Sequence, residues 1–234
     1  MLELTVFSLL NGLVYGLLLF MLSAGLTLIF SMMGVLNFAH ASLYMLGAYF
    51  AYSISTKVGF WPGLVVAPVL VGVVGALIER YGLRNVHRYG HVAELIFTFG
   101  VAFLVQETVQ LVWGKQTMDY HEPAMLNFPL FSLWGIEFPA YKAFMLAISI
   151  GIFIALLLVL TRTRVGLIIQ AALTHPHMVE ALGHDVPRVF MGVFAGGCAL
   201  AGLAGVIGVI ACCCCDSINC RAASSVLSLR VGIL

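Results

Sequence analysis

Fifty-three consecutive residues, Leu4 to Thr56, contain no Asp, Glu, Lys or Arg. About 20 apolar residues suffice for one helix to cross a bilayer. The run therefore has the length of two spans, and a water-soluble fold has no place for it. The rest of the chain agrees. It is 62% hydrophobic and 9% charged, with a mean hydropathy of +1.08. A soluble domain carries about 25% charged residues. The expected fold is all-α, a polytopic transmembrane helical bundle. The opening residues "MLEL" lack a basic stretch, and the apolar run behind them is too long for a signal sequence, so a cleaved leader is not expected. Net charge is +1 with no long basic run, which excludes a nucleic-acid-binding surface as the main role.

Hydropathy and punctuation predict about six spans. They run from about Val6 to Met32, Ala39 to Ser55, Trp61 to Ile78, Leu95 to Trp113, Ala143 to Leu160, and from after Pro187 to about Ile210. Pro187 suits a helix start, where its missing N–H is not needed. Arginines concentrate in two loops. Glu79–His91 holds Arg80, Arg84 and Arg88, and Thr161–Arg188 holds Arg162, Arg164 and Arg188. Two spans separate these loops, so they share a side, which the positive-inside rule makes cytoplasmic. The N-terminus then lies outside. So does Gly114–Lys142, where alternating apolar residues from Phe128 to Phe138 suggest a short hairpin.

Polar residues inside the apolar segments are the candidates for function. Asn37 and His40 stand three apart, on one face of a helix, just after Gly34. Two readings fit them: a helix break satisfied by its neighbours, or the lining of a solute path. Glu107, beside Gln106 and Gln110, either reaches water at the outer end of its span or faces such a path. Small residues recur at helical spacing in Gly12/Gly16, in Gly192/Gly196 and along Gly197, Ala201 and Gly205. Such ridges let helices pack closely in lipid, or mark a gate that moves.

No catalytic motif is present: no phosphate-binding Gly-rich loop, no GxSxG, no HExxH. His175, His177 and His184 lack a carboxylate or Cys at a metal-binding spacing. Five of the six cysteines crowd into Cys212–Cys215 and Cys220, too close together for one tetrahedral metal or a disulfide framework. No metal, no cofactor and no enzymatic activity are expected.

The stretch from Asn11 to Tyr52, with its Asn-Phe-Ala-His element and the following Met-Leu-Gly-Ala-Tyr, resembles the permease subunits of bacterial ABC importers for branched-chain amino acids. Glu79–Gly114 and Gly166–Gly208 extend the likeness, which covers about residues 5 to 210. Permeases for urea or short amides share this architecture and form the alternative within the class. The family pattern continues after the His with Gly and an acid, where this chain has Ala41 and Ser42. The resemblance implies a multi-pass protein of the bacterial inner membrane that forms half of a translocation path. It also implies a second permease subunit, two cytoplasmic ATPase subunits and a periplasmic substrate-binding protein as partners.

By the same resemblance, Gly166 to Asp185 is the cytoplasmic loop that docks on an ATPase. Without it, a solvated connector is the plainer reading. The expected coupling residues are Gly166, Ala171, Glu180, Ala181 and Gly183. Gln170-Ala171 stand where the family often has Arg-Ala, and Gly183 matches a family Gly. Short helices are expected over Ile168–Leu173 and Met178–Leu182, split by Pro176. Residues 1–210 are thus expected to form the permease domain, incomplete relative to the family. Ala211–Leu234, "ACCCCDSINCRAASSVLSLRVGIL", has neither the small-residue pattern nor the length of the family's ending. That stretch is expected to be out-of-frame translation or the end of a truncated gene, with a genuine divergent tail as the alternative; a non-functional truncated fragment is a rival reading of the chain's function. Coding DNA that holds further apolar spans in another frame after codon 211 is the outcome that checks the out-of-frame reading.

Overall fold

The computed structural model describes residues 2–114, 129–133, 136–174, 178–179 and 185–213. It is helical apart from one hairpin. The transverse helices are α1 (Leu2–Met33), α2 (Ala39–Val58), α3 (Phe60–Ile78), α5 (His91–Trp113), α6 (Ala140–Arg162) and α8 (Val186–Cys213). A π-helical turn at Glu79–Leu83, the short α4 (Arg84–Val86) and a 3-10 turn at His87–Tyr89 connect α3 to α5, and α7 (Arg164–Thr174) follows α6. The expected hairpin is β1 (Pro129–Leu133) paired antiparallel with β2 (Ile136–Pro139), with Phe131 opposite Phe138.

Among the described residues, five helices are long and apolar enough to cross a membrane by length and composition: α1, α3 with its connector, α5, α6 and α8. The sixth expected span is α2, the most polar of the long helices. That helix has the length, 20 residues, but carries His40, Ser42, Ser53, Ser55, Thr56 and Lys57. Neighbouring helices cover much of its surface. It packs on α3, α5 and α8, and buries Ala39, His40, Leu43, Leu46, Gly47, Ala48 and Ala51. Polar side chains are tolerated there because neighbouring helices supply partners.

Named contacts fix the helix directions. Phe38 meets Phe99 edge-on at 6.1 Å, Ser42 Oγ donates to the Ala102 carbonyl at 3.2 Å, and Trp113 Nε1 donates to Ser53 Oγ at 2.7 Å. Hence α2 and α5 run the same way. Lys142 Nζ donates to Asn11 Oδ1 at 2.9 Å, and Phe20 and Phe153 stack edge-on at 5.2 Å, so α1 and α6 run together. α8 runs against α3, because Gly75 lies on Cys198 while Val71 lies on Gly202. The α3–α5 connector and the α6–α7 turn therefore lie at one end of the bundle, as the arginine pattern requires. Single cysteines at Arg84 and Arg162, both exposed, are expected to react with an impermeant reagent from one and the same side in a cysteine-free background. Reaction from opposite sides would break this arrangement.

α8 is the central helix, and its glycines explain why. A β-carbon on Gly202 would lie 2.9 Å from the Val71 Cβ of α3, and one on Gly47 would lie 2.5 Å from the Gly202 Cα. A β-carbon on Gly197 would meet the Gly25 carbonyl at 2.9 Å, and one on Gly205 would run into the Tyr44 carbonyl of α2. Backbone-to-backbone approach of this kind is what small residues permit in lipid, where apolar burial contributes little between helices. The Gly197, Ala201, Gly205 ladder is thus the packing face. Gly12, Gly16, Gly192 and Gly196 are not: they are exposed, and an added β-carbon there meets nothing within 4 Å.

Candidate functional site

The chain breaks between α1 and α2. Gly34 takes φ +68°, a left-handed conformation that glycine adopts without steric cost. Its N–H still closes the last turn of α1 on the Phe30 carbonyl at 2.8 Å. Asn37 then starts α2: its Oδ1 accepts from the Ala39 N–H at 3.0 Å, satisfying one of the free donors at a helix N-terminus. Phe38 lies beside Phe99, eight residues into α5. At 1.5 Å per residue the break therefore sits about 12 Å inside the bundle from the start of α5.

Asn37 is 5% exposed and His40 3%. His40 Nε2 lies 3.1 Å from the Leu22 carbonyl of α1. A carbonyl only accepts, so Nε2 carries the proton and Nδ1 keeps its lone pair. Likewise Asn37 Oδ1 must be the acceptor for Ala39, which turns Nδ2 the other way. Both remaining atoms, Asn37 Nδ2 and His40 Nδ1, are buried without a hydrogen-bond partner among the described residues. The break thus presents one unused donor and one unused acceptor, with no net charge. Leaving such a group unpaired costs about 1–3 kcal/mol.

Gly25 makes the room. A β-carbon there would lie 3.1 Å from His40 Cε1 and 2.7 Å from the Gly197 carbonyl. The imidazole therefore sits at a junction of α1, α2 and α8. Sequence reasoning did not single out Gly25. It lies outside any GxxxG pattern, and its role arises only because α2 and α8 converge on it.

The other predicted residues lie apart from this pair. Glu107 is exposed on α5. Val105 and Val109 mark the buried side of that helix, and Glu107 points away from them. The structure brings no other site residue to it. Gly166 is buried where α7 folds back under α6. Its N–H donates to Thr163 Oγ1 at 3.1 Å, Gln170 Nε2 donates to the Leu160 carbonyl at 3.1 Å, and a β-carbon on Gly166 would collide with the α6 backbone at Val159 and Leu160. Ala171 is exposed on α7, as is Leu167 at 61%. The predicted Ile168–Leu173 helix is thus α7, one turn longer at its start. Val179 is buried against Ile168 and Phe190, which ties the loop to the start of α8. Glu180, Ala181 and Gly183 lie outside the described residues.

Two buried carboxylates were missed. Glu94 is 1% exposed and Glu79 6%. Glu94 Oε1 is paired with His87 Nδ1, and His91 Nδ1 stands 3.8 Å from Oε2. The sequence reading began this helix at Leu95, leaving Glu94 in the loop. The available signal was Gly90 followed by an acid in the first turn, where the helix N-terminus favours negative charge. Among the described residues no three His, Cys, Asp or Glu side chains are grouped to hold a metal.

The comparisons with known proteins bear on this arrangement. Residues 8–212 match the family described as the branched-chain amino acid transport system permease component. The chain belongs to this family. It is similar to the high-affinity branched-chain amino acid transport system permease protein LivH of Escherichia coli strain K12, with 26% identity over 211 residues, 84% of this chain and 68% of the relative. BraD of Pseudomonas aeruginosa, described in the same terms, is 25% identical over 214 residues, 86% of this chain and 69% of its own. A probable branched-chain amino acid transport permease protein, LivH of Methanocaldococcus jannaschii, is 30% identical over 208 residues, 83% of this chain and 63% of its own. No solved structure matches the chain significantly. As a permease-family member this chain is a multi-pass membrane protein of the transporter class, and its helical bundle is that of a permease subunit of an ABC importer.

Proposed function

We propose that this permease forms half of the translocation path of an ABC importer for branched-chain or related amino acids in an inner membrane. The observation that carries the proposal is the family match over residues 8–212. A second permease subunit, two cytoplasmic ATPases and a periplasmic binding protein complete the assembly. The arginine-bearing end faces the cytoplasm, because Arg80, Arg84, Arg88, Arg162 and Arg188 cluster there. Asn37 and His40 line the path. Their unused donor and acceptor suit a polar solute that must leave again: they offer hydrogen bonds without a fixed charge to trap it. The test is ATP-driven uptake of labelled leucine, isoleucine and valine by the assembled complex, with and without this chain. Uptake of urea or a short amide in place of all three would move the substrate to the alternative class.

Coupling to the ATPases would run through α7. Its buried side anchors on α6, while Leu167, Gln170 and Ala171 are exposed. An aliphatic side chain presented at the cytoplasmic end of a membrane bundle is well placed to fill a protein groove. Leu167→Asp is expected to leave the amount of membrane-inserted permease within about twofold, since exposed substitutions shift stability by about 0.5 kcal/mol or less. The same variant should lose most ATPase co-purification. Undiminished co-purification with normal uptake would remove α7 from the interface.

A further inference from the structure

α3 ends in a surface that lies apart from Asn37 and His40. Its outward face is apolar through Val66, Val69, Leu70, Val73 and Leu77, all exposed. An exposed apolar stripe on a membrane helix meets acyl chains. The helical path continues beyond Ile78, so the following turns stand at headgroup depth. There the surface changes character. Tyr81 is 68% exposed and Tyr89 81%, and Arg80, Arg84 and Arg88 are all exposed. The arginines recur every four residues along these helical turns.

Among the described residues these cations form no ion pair, and only Arg84 interacts electrostatically with a nearby acid, the buried Glu79. Both acids near them in the chain are turned inward, Glu79 at 6% and Glu94 at 1% exposure, and Glu94 is engaged by His87. No described carboxylate lies within ion-pair distance of Arg80, Arg84 or Arg88. Arg80 instead lies over the Tyr81 ring, 5.7 Å from its centroid. A protein surface meant only for water would intersperse exposed acids among three such arginines. Here no described acid ion-pairs with the three arginines, which leaves a place for a counter-charge from outside the chain at the depth where α3 leaves the hydrocarbon.

We propose that Arg80, Arg84 and Arg88, with Tyr81, bind the headgroup of an anionic phospholipid whose acyl chains lie on the exposed face of α3. The phosphodiester supplies the missing charge, and its oxygens suit the forked donors of guanidinium. Tyrosine is at home at this depth, with its ring in the apolar region and its hydroxyl among the headgroups. The proposal depends on α3 crossing the membrane and not on which solute is carried. A docked acidic protein fits less well, because the arginines continue a lipid-facing stripe and not a protein-facing one.

The test uses the full chain purified in a neutral detergent and titrated with fluorescent phosphatidylglycerol or phosphatidylcholine. Phosphatidylglycerol is expected to bind about a hundredfold more tightly. Each basic group at an anionic lipid surface contributes about fivefold in affinity, so replacing all three (R80Q, R84Q, R88Q) should cost about a hundredfold. Binding of phosphatidylcholine should not change. The corresponding lysine triple variant should retain most of the preference. Glycerol phosphate should not displace the lipid, because the α3 face holds the chains; displacement would make the ligand a soluble phosphate and overturn the proposal. Equal binding of the two lipids, or full phosphatidylglycerol affinity in the glutamine variant, also overturns it. So does a glutamine variant that keeps the lipid but loses a co-purifying ATPase, which would make the patch a protein interface. If the glutamine variant fails to accumulate, the wild-type chain decides: its phosphatidylglycerol affinity must fall with added salt, and a flat response rejects the site.

Discussion

Gly205→Val is expected to prevent the bundle from assembling, with membrane-inserted folded protein reduced at least about tenfold. A β-carbon at Gly205 runs into the Tyr44 carbonyl, and a further α2 backbone atom, Ala48 N, would stand 3.2 Å away. Neither is a flexible side-chain end, so α2 and α8 must separate. Overpacking costs about 1–3 kcal/mol where side chains can shift, and more where backbone blocks the way. Separation would also pull Gly47 from Gly202 on the same pair of helices, where the approach is 2.5 Å to a would-be β-carbon. Gly196→Val and Gly12→Val are the controls. Both change a glycine that belongs to a GxxxG pattern, and both should leave the unfolding midpoint of the isolated chain within a degree or two, because their β-carbons meet nothing within 4 Å. Thermal unfolding in detergent, with the fraction eluting as a single folded species, reads all three. Similar loss in all three variants would mean that the packing face of α8 has been assigned wrongly.

Asn37→Leu is expected to cut uptake by the assembled transporter about tenfold or more, while the amount of inserted permease stays within about twofold. The separation follows from two opposing terms. Loss of the bond from Oδ1 to the Ala39 N–H weakens the start of α2 by about 0.5–2 kcal/mol. Loss of the unpartnered Nδ2 removes a buried donor whose burial costs about 1–3 kcal/mol. The two nearly cancel, so stability should change little. What disappears is the donor proposed to meet a passing solute. Labelled leucine uptake, set against immunoblotted permease in the same membranes, measures the ratio. If uptake and protein fall together, the break at Gly34 is a structural turn and Asn37 its anchor.

Much of this architecture was legible in the residues. The helices lie within a few residues of their expected positions, from α1 through Pro187 in the first turn of α8. The shared end of the two arginine-rich connectors was also predictable. The Asn37–His40 break could be placed from Gly34 and two polar residues in an apolar run. Each of these depends on the preference of a segment for water or hydrocarbon, and that preference is local and additive along the chain.

The direction in which each helix faces was not legible. In a water-soluble helix the apolar stripe shows the buried side. Here both sides are apolar, because one meets protein and the other lipid. Three glycine ridges therefore looked equivalent, yet only Gly197–Ala201–Gly205 packs. Glu107 and Glu94 lie on the same helix, yet Glu107 is exposed while Glu94 is buried under His87. The sequence by itself determined how many segments leave water and which end holds the arginines, because partition between solvents is a property of each segment alone. Only the tertiary structure decided which faces meet, that α2 is sheltered by its neighbours, and that Gly25 opens the space His40 fills. Those depend on helix rotation and backbone approach, which are set by van der Waals fit between elements distant in the chain.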